Sequence, residues 1–280
     1  VKKIWEKMFE FGLDRKSLLI NLGGGVIEDV GGFAAATFMR GIEFLNIPTT
    51  LLAQVDAGIG GKTGIDFQGI KNGIGVFKDP VGVVIDVDTL KTLPKRELIS
   101  AYGEIIKHGV ISGQKYFDLV TSKKPEEFSQ KELIKIIRQS IKIKSNIVRK
   151  DPKEKDLRKV LNFGHTIGHA VESLSWKTNE PLLHGEAIAI GMVAESKLAG
   201  LLGLLSDKDF KKIKNSLINA DLPINIENIN SENIKKMILT DKKNFKGKIN
   251  FSLPKTIGEV LVNINVQEDL IIKAIKTIQI

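Results

Sequence analysis

The sequence lacks cysteine altogether, which excludes disulfides, thiol nucleophiles and cysteine-ligated zinc among its 280 residues. Any metal site must therefore be built from histidine, aspartate and glutamate. Histidine is scarce as well, because only His108, His165, His169 and His184 occur. Two of these four stand in one short segment, LNFGHTIGH at 161–169, so each histidine is a candidate ligand.

Long apolar runs and targeting signals are also missing. No run reaches the roughly 18 to 20 residues of a membrane span, and the first residues lack the order of a signal peptide. We therefore expect a cytoplasmic protein that binds no membrane. The net charge of +9 comes with neither aromatic–basic interleaving nor zinc-finger spacing, so no nucleic-acid partner is expected. Lysine runs at 211–215 and 241–248 are typical of solvated helix faces.

Residues 1–92 alternate apolar strands with glycine-rich turns. A helix is predicted at the start, over 1–12, and another over 26–39, while strands are predicted over 17–22, 42–48 and 81–87. The order of strand, glycine turn, helix and strand predicts an α/β layer with parallel strands.

Residues 93–280 change to a 3.6-residue period and predict a mainly α-helical domain. The predicted helices cover 95–112, 130–149, 156–175, 184–204, 207–219 and 231–242. Two short alternating segments, 248–253 and 257–263, and a terminal helix follow. The chain therefore reads as two domains that join near residues 88–95.

His165 and His169 are four residues apart on a predicted helix, where they would point into one common space. A single histidine in an apolar helix is usually a core residue held by one hydrogen bond. Two such residues need two buried partners, which favours a metal or an anionic substrate instead.

Three glycine-rich segments suit anions. NLGGGVIED at 21–29 lies between a strand and a helix, where backbone N–H groups can approach a phosphate, although a tight turn would explain it equally well. DAGIGGKTGID at 56–66 and IKNGIG at 70–75 surround lysines with glycines in what we predict to be anion-binding loops with exposed backbone. A flexible surface loop is the alternative for both.

Further ligands are available on other predicted helices. Glu104 and Lys107 are three residues apart, as in an ordinary surface ion pair, yet their helix would place both toward the core. Glu104, either His165 or His169, and His184 can then form a sulfur-free set that leaves one metal position open. Arg158, suited to a carboxylate or phosphate, and Asn162, suited to a hydroxyl, are predicted on the helix of the two histidines.

The motifs GGGVxxD, RGxxFxxxPTTLLAQVD, GGKTG, KN, ExxKHG, LNxGHTxGHA and HGEA occur here in this order. A chain with these motifs resembles the 3-dehydroquinate synthase family of sugar-phosphate cyclases, from about residue 15 to beyond residue 200. The resemblance implies a Rossmann-like layer followed by a helical domain, as in dehydroquinate synthase-like folds. It also implies the shikimate-pathway reaction, in which 3-deoxy-D-arabino-heptulosonate 7-phosphate gives 3-dehydroquinate and phosphate.

The resemblance also implies roles for individual residues. Zinc, with cobalt as an alternative, would be held by Glu104, His165 and His184, while His169 would contact the anionic end of the substrate. Catalytic and substrate-binding roles would fall to Asp56, Lys62, Lys71, Asn72, Lys107, Lys144, Arg158, Asn162 and His169. The NAD cofactor would contact Gly23, Gly24, Gly25, Asp29, Thr49, Thr50, Lys62, Lys71, Thr92 and Leu93.

The sequence departs from the family pattern at several positions. Glu28 stands at a usual glycine, in a turn beside the expected pyrophosphate, where a negative charge would disfavour NAD. Ala57 and Gly58 replace a usual Ser-Ser, and Ile70 replaces a usual glycine. The chain also starts after an α/β stretch that contributes to the family's NAD site. We therefore expect these 280 residues to bind zinc but to bind NAD weakly, with apolar surface left on uncovered strands.

Three other functions are weighed against this one. A metal-dependent polyol dehydrogenase would share the fold, but a neutral polyol does not need Lys62, Lys71 and Lys107. Another sugar-phosphate cyclase, which would act on a different sugar phosphate, is a second alternative. Arg158 and His169 argue against it, because they favour a substrate with a carboxylate. A basic binding protein without catalysis is the third. The small molecule that we expect the protein to bind is a phosphorylated keto acid. A homodimer is a possible assembly.

Overall fold

The computed structural model describes residues 1–68, 70–227, 229–240 and 249–279. These residues form two units, one of residues 1–97 with 133–145 and one of residues 98–132 with 146–280. Among the described helices, none is both long and apolar enough to cross a bilayer. The predicted basic run at 241–248 lies outside the described residues.

The first unit is an α/β layer. In chain order its elements are α1 (Lys2–Glu10), β1 (Leu18–Gly23), α2 (Gly25–Thr37), a 3-10 turn (Phe38–Arg40), β2 (Glu43–Pro48), a π-helical turn (Ala53–Ala57), β3 (Lys62–Phe67), β4 (Ile70–Phe77), β5 (Gly82–Val83) and a 3-10 helix (Val87–Thr92). The strands β1, β2 and β5 form a parallel sheet in the order β1-β2-β5. The predicted parallel layer is therefore confirmed.

The predicted strand over 81–87 is wrong in length. Only Gly82 and Val83 pair with β2, because the chain then turns into the 3-10 helix. The side chain of Asp86 caps that helix by accepting the backbone N–H of Asp88 at 2.9 Å. The chain thus leaves the sheet before the apolar pattern of the sequence ends.

The core of this unit lies between α1, α2 and β2. Met8, Ala35, Phe38, Ile42 and Phe44 are buried together there. The strand β1 is different, because it is an edge strand of the described sheet and its outward side chains stay exposed. Leu18, Ile20 and Leu22 are 48%, 55% and 63% exposed. Apolar surface therefore remains on β1, as expected for strands that are not covered on both sides.

The predicted loops over 56–66 and 70–75 are wrong for most of their length. The strands β3 and β4 form an antiparallel hairpin, in which Lys62 pairs with Phe77 and Gly64 pairs with Gly75. A Cβ atom on Gly75 would lie 2.4 Å from the carbonyl oxygen of Thr63. These glycines allow two strands to approach closely, which is a role that glycine-rich sequence alone does not separate from an open loop.

The second unit is mainly helical. Its elements are α3 (Lys95–Ser112), α4 (Gln114–Val120), a 3-10 turn (Pro125–Glu127), α5 (Gln130–Lys150), a 3-10 helix (Leu157–Asn162), α6 (His165–Ser175), α7 (His184–Leu201), α8 (Asp207–Asn219), α9 (Ser231–Thr240), β6 (Asn250–Thr256), β7 (Glu259–Asn265) and α10 (Glu268–Lys276). The first residues of α3 and residues 133–145 of α5 group with the first unit. The predicted mainly helical character, the strands at the two alternating segments and the terminal helix are confirmed, and the two strands pair antiparallel.

The prediction of one helix over 156–175 is wrong. A 3-10 helix ends at Asn162, and α6 begins at His165. Between them Gly164 has a φ of +80°, a left-handed conformation that glycine adopts without strain and that interrupts a right-handed helix. Arg158 and Asn162 therefore do not lie on the helix of His165 and His169, as the periodicity had indicated.

Candidate active site

Glycines bring the backbones of α3, α6 and α7 into direct contact. A Cβ atom on Gly185 of α7 would lie 1.8 Å from the carbonyl oxygen of Ser100 on α3, and one on Gly103 would lie 2.3 Å from the carbonyl oxygen of Gly185. On the other side of α7, a Cβ atom on Gly191 would lie 2.0 Å from the carbonyl oxygen of Gly164. Side chains beside these contacts must therefore meet in a small space.

Three buried or half-buried side chains converge there. The Oε1 atom of Glu104 lies 3.4 Å from Nε2 of His165 and 3.6 Å from Nε2 of His184. Ligand atoms at zinc–ligand distances of roughly 2.0–2.1 Å in tetrahedral geometry are about 3.3–3.4 Å apart. The separations match ligands that share one metal ion better than they match direct hydrogen bonds.

His169 belongs to the same cluster. Its ring centroid is 5.0 Å from that of His165 and 5.7 Å from that of His184, and one ring nitrogen from each histidine lies within 4.8 Å of the others. The prediction that His165 and His169 share one space is confirmed. Geometry alone thus allows two ligand sets, one with Glu104 and one with His169.

The backbone fixes the orientation of the His165 ring. Its Nδ1 atom lies 3.1 Å from the carbonyl oxygen of Phe163, so Nδ1 carries the proton and Nε2 keeps its lone pair toward Glu104. Burial, helped by the nearby positive charge of Lys107, lowers the pKa of His165 well below its usual value. The imidazole is therefore neutral, which is the form that binds metals.

A carboxylate that the sequence analysis missed holds His184. Glu172, on α6, lies 3.1 Å from Nδ1 of His184 through its Oε2 atom. Burial lowers the pKa of His184, but the neighbouring carboxylates of Glu104 and Glu172 outweigh this effect and raise the pKa to about 9. The signal for Glu172 was its position seven residues after His165, two turns along the same apolar helix.

Lys107 neutralises the carboxylate of Glu104. The Nζ atom of Lys107 forms an ion pair with Oε2 of Glu104, and both side chains are almost fully buried. The expectation that this i, i+3 pair faces the core is confirmed. Because an unpaired buried charge is costly, each of the two groups stabilises the other inside the helical unit.

Arg158 and Asn162 lie on the 3-10 helix before α6. The guanidinium of Arg158, 3% exposed as a residue, donates to the carbonyl oxygen of Pro152 at 2.8 Å. Asn162 donates from Nδ2 to Oε1 of Glu154 at 2.7 Å. Both side chains are therefore held in place by the loop that precedes their helix.

Asp56 and Lys144 form a pair in the first unit. The Nζ atom of Lys144 lies 2.7 Å from Oδ1 of Asp56 and donates to its backbone carbonyl oxygen at 2.7 Å. The π-helical turn at Ala53–Ala57 presents both oxygens to this one ammonium group. This double contact ties α5 to the turn that follows β2.

The β3–β4 hairpin carries three of the predicted anion-binding residues. Lys62 begins β3, and Asn72 lies on β4 with a φ of +49°. The backbone N–H of Asn72 donates to Oδ1 of Asp66 at 2.7 Å. Lys71 lies on β4 as well, but its side chain is outside the described part of the chain.

The predicted cofactor turn connects β1 to α2. Gly23 ends β1, and α2 begins at Gly25 without a side-chain hydrogen bond from its cap residue, Gly24. Such a helix start offers backbone N–H groups and a positive dipole end to a phosphate. A Cβ atom on Gly24 would lie 2.9 Å from the side chain of Thr50, so a larger residue would require Thr50 to shift. The backbone N–H of Thr49 donates to the carbonyl oxygen of Gly23 at 2.8 Å.

The remaining residues of the predicted cofactor set lie on α2 or after β5. Asp29 is on α2, while Thr92 ends the 3-10 helix after β5 and Leu93 caps it. Because β1, β2 and β5 are parallel neighbours, the segments after them leave the sheet at the same edge.

Glu28 lies inside the first turn of α2, which corrects its predicted place in the preceding turn. The residue is 2% exposed, and neither carboxylate oxygen has a hydrogen-bond partner among the described residues. Both oxygens lie 3.3 Å from the point where Gly58 would carry a Cβ atom. The glycine at 58 thus leaves room for the carboxylate at 28, so two departures from the family pattern fit against each other.

Burial, together with the negative charge of Asp29, raises the pKa of Glu28 to about 8. The group is therefore mostly protonated at neutral pH. The negative charge that the sequence analysis expected beside a pyrophosphate is largely removed by this protonation.

This raised pKa predicts a pH dependence of folding. Between about pH 4.5 and pH 8 the unfolded chain has lost the proton of Glu28 and the folded chain keeps it. The contribution of Glu28 therefore lowers the free energy of unfolding by roughly 1.4 kcal/mol for each unit of rising pH. Relative to the wild type, Glu28→Gln should gain that stability as pH rises from 5.5 to 7.5 in urea unfolding experiments. The control is Glu6→Gln, at an exposed glutamate. If the difference in unfolding free energy between Glu28→Gln and the wild type is as constant across this pH range as that of the control, the prediction is wrong.

Both halves of the chain match models of one protein family. Residues 1–100 match the family model of the 3-dehydroquinate synthase N-terminal domain, and residues 101–244 match that of the 3-dehydroquinate synthase C-terminal domain. A 3-dehydroquinate synthase of Thermodesulfovibrio yellowstonii is 48% identical over 271 residues, which cover 95% of this chain and 75% of that protein.

Solved structures of two synthases are similar as well. A 2-epi-5-epi-valiolone synthase from Streptomyces hygroscopicus, with NAD+ and Zn2+ bound, has a TM-score of 0.91 at 28% identity, covering 99% of this chain and 78% of that one. A 2-deoxy-scyllo-inosose synthase complexed with carbaglucose-6-phosphate, NAD+ and Co2+ has a TM-score of 0.89 at 26% identity, with the same coverage. The two family models together span most of the sequence, and the chain belongs to the 3-dehydroquinate synthase family.

Proposed function

We propose that this chain is a carbon–oxygen lyase of the shikimate pathway that converts 3-deoxy-D-arabino-heptulosonate 7-phosphate to 3-dehydroquinate and phosphate. The observation that supports it most is the convergence of Glu104, His165 and His184 at separations suited to one metal ion. The 48% identity to a 3-dehydroquinate synthase supports this member of the family.

Zinc, or cobalt in its place, would be held by Glu104, His165 and His184. Carboxylate and imidazole ligands without sulfur suit either ion, and three protein ligands leave a position open for a substrate oxygen. A bound metal supplies Lewis-acid polarisation of that oxygen. Lys107 pairs with the carboxylate of Glu104 and holds it in place, while the Phe163 carbonyl and Glu172 orient the two imidazoles.

NAD would be held by the turn of Gly23, Gly24 and Gly25, by Asp29, and by the segments with Thr49, Thr50, Lys62, Lys71, Thr92 and Leu93. The uncapped start of α2 and the lack of side chains at the three glycines fit a pyrophosphate. Bound NAD supplies reversible hydride acceptance, which makes a neighbouring C–H bond acidic. The protonation of Glu28 keeps a further negative charge from this turn.

The substrate carries a phosphate and a carboxylate, and the proposed binding groups are mainly cations. The proposed binding residues of the first unit, charged and polar together, are Asp56, Lys62, Lys71, Asn72 and Lys144. Those of the second unit are Lys107, Arg158, Asn162 and His169. The planar guanidinium of Arg158, already fixed by Pro152, suits a carboxylate or phosphate, and Asn162 suits a hydroxyl. His169 stands beside the metal ligands and can bind the anionic end of the substrate or pass a proton.

A different sugar-phosphate cyclase is the second candidate, because the similar solved structures are named as synthases of other compounds. These structures are 28% and 26% identical, against 48% for the 3-dehydroquinate synthase. The carboxylate-binding capacity of Arg158 and His169 also favours the keto acid. A polyol dehydrogenase remains the alternative in another reaction class.

One assay separates these functions. With the seven-carbon keto acid phosphate as substrate, we expect one inorganic phosphate for each substrate consumed and no net accumulation of NADH, because the hydride is returned in each cycle. Phosphate is measured colorimetrically and NADH by its absorbance in the same sample. A glucose phosphate serves as the control substrate and should release no phosphate. Steady NADH growth without phosphate would instead indicate a dehydrogenase.

A further inference from the structure

The helix α6, which begins at the proposed ligand His165, has no cap of its own. Its cap residue is Gly164, which has no side chain, and no side-chain hydrogen bond from that residue satisfies the first N–H groups of the helix. The first N–H groups of an α-helix have no partner within the helix, and leaving them buried without an acceptor is costly. An acceptor must therefore come from elsewhere in the unit.

Glu195 supplies that acceptor from the neighbouring helix α7. Its Oε2 atom accepts the backbone N–H of Gly164 at 2.6 Å, and its Oε1 atom accepts that of Ile167 at 3.0 Å. The residue is fully buried. One side chain thus binds the backbone N–H groups of Gly164, just before His165, and of Ile167, in the first turn after it. These two bonds fix the backbone of His165 on both sides.

The same face of α7 carries the glycine contact. Gly191 and Glu195 are four residues apart, so they lie on one side of the helix. Gly191 lets α6 approach until a Cβ atom would overlap the Gly164 carbonyl, and Glu195 binds the N–H of that same residue. Because His184 is the first residue of α7, this contact links the backbones that carry His165 and His184.

We propose that Glu195 is a positioning residue for the metal site, because its carboxylate sets the start of α6 so that Nε2 of His165 faces Oε1 of Glu104. The proposal rests on the metal site described under the proposed function. Without the carboxylate, the uncapped first turn of α6 would fray or turn toward water, and His165 would lose the alignment that the Phe163 carbonyl gives to its ring.

Binding of Co2+ tests this role. We expect Glu195→Gln, which turns one acceptor oxygen into an N–H donor facing a backbone N–H, to weaken Co2+ binding by roughly 10- to 100-fold, as is typical for partners behind metal ligands. The visible absorption spectrum of Co2+ bound to Glu195→Gln, which reports the coordination geometry of the metal, should differ from that of the wild type as well. Glu195→Asp keeps both acceptor oxygens but withdraws them by one methylene and should fall between Glu195→Gln and the wild type.

The matched control is Ser206→Ala, which removes the side-chain cap of α8, a helix without proposed ligands. It should lose stability and keep both the cobalt affinity and the spectrum of the wild type. Wild-type affinity and spectrum in folded Glu195→Gln and Glu195→Asp would overturn the proposal. A wild-type protein that binds no Co2+ would instead overturn the metal site itself, which keeps the two failures distinct.

Discussion

His184→Ala is expected to abolish stoichiometric metal binding, from about one zinc per chain to less than roughly a tenth. His184 is one of two imidazoles whose Nε2 atoms face Oε1 of Glu104, and a site with two remaining ligands binds zinc weakly. Elemental analysis after dialysis against a weak chelator measures this loss. Circular dichroism establishes that the variant is still folded.

His169→Gln is the companion variant, because it distinguishes the two ligand sets that the cluster allows. If Glu104, His165 and His184 bind the metal, His169→Gln should keep about one zinc per chain and lose turnover. Loss of zinc from His169→Gln together with retention in Glu104→Gln would instead identify the set of three histidines.

Gly185→Ala is expected to be the most destabilising single substitution considered, by about 3 kcal/mol or more. The new Cβ atom would lie 1.8 Å from the carbonyl oxygen of Ser100, so α3 and α7 would have to separate. Glu104 and His184 lie beside this contact, so metal affinity should fall with stability. Urea unfolding and zinc titration measure the two effects.

Gly200→Ala on the same helix is the matched control. The nearest atom to its new Cβ would be the carbonyl oxygen of Leu205 at 3.9 Å, so the methyl group has room. Alanine in a helix is more favourable than glycine by about 0.5–1 kcal/mol, and this variant should be as stable as the wild type or more stable. Equal stability of Gly185→Ala and Gly200→Ala would show that the close contact of α3 and α7 is absent in solution.

The sequence was most informative where local physical chemistry decides the structure. The 3.6-residue period predicts a helix over 130–149, and α5 does run from Gln130 to Lys150, with the side chains of Ser129 and Glu132 each accepting the other's backbone N–H at its start. The spacing of His165 and His169 placed both rings in one space for the same reason. In each case the interacting groups are within one helical turn.

It was least informative where glycines make contacts between distant segments. Gly64 and Gly75 close the hairpin, and Gly164 divides a helix, yet each reads in sequence as a loop residue or a tolerated interruption. Glu172 and Glu195 were missed because a carboxylate that serves a distant imidazole or a distant helix start leaves no local pattern. The convergence of Glu104 with His184, 80 residues later in the chain, depends on the glycine contacts of α3 and α7.

The most direct test of the metal site is anomalous diffraction at the zinc absorption edge from crystals of the wild-type protein. We predict one peak within about 2.0–2.2 Å of Nε2 of His165, Nε2 of His184 and an Oε atom of Glu104, with His169 outside bonding distance. A peak bonded to all three of His165, His169 and His184, or one located away from Glu104, would contradict the account.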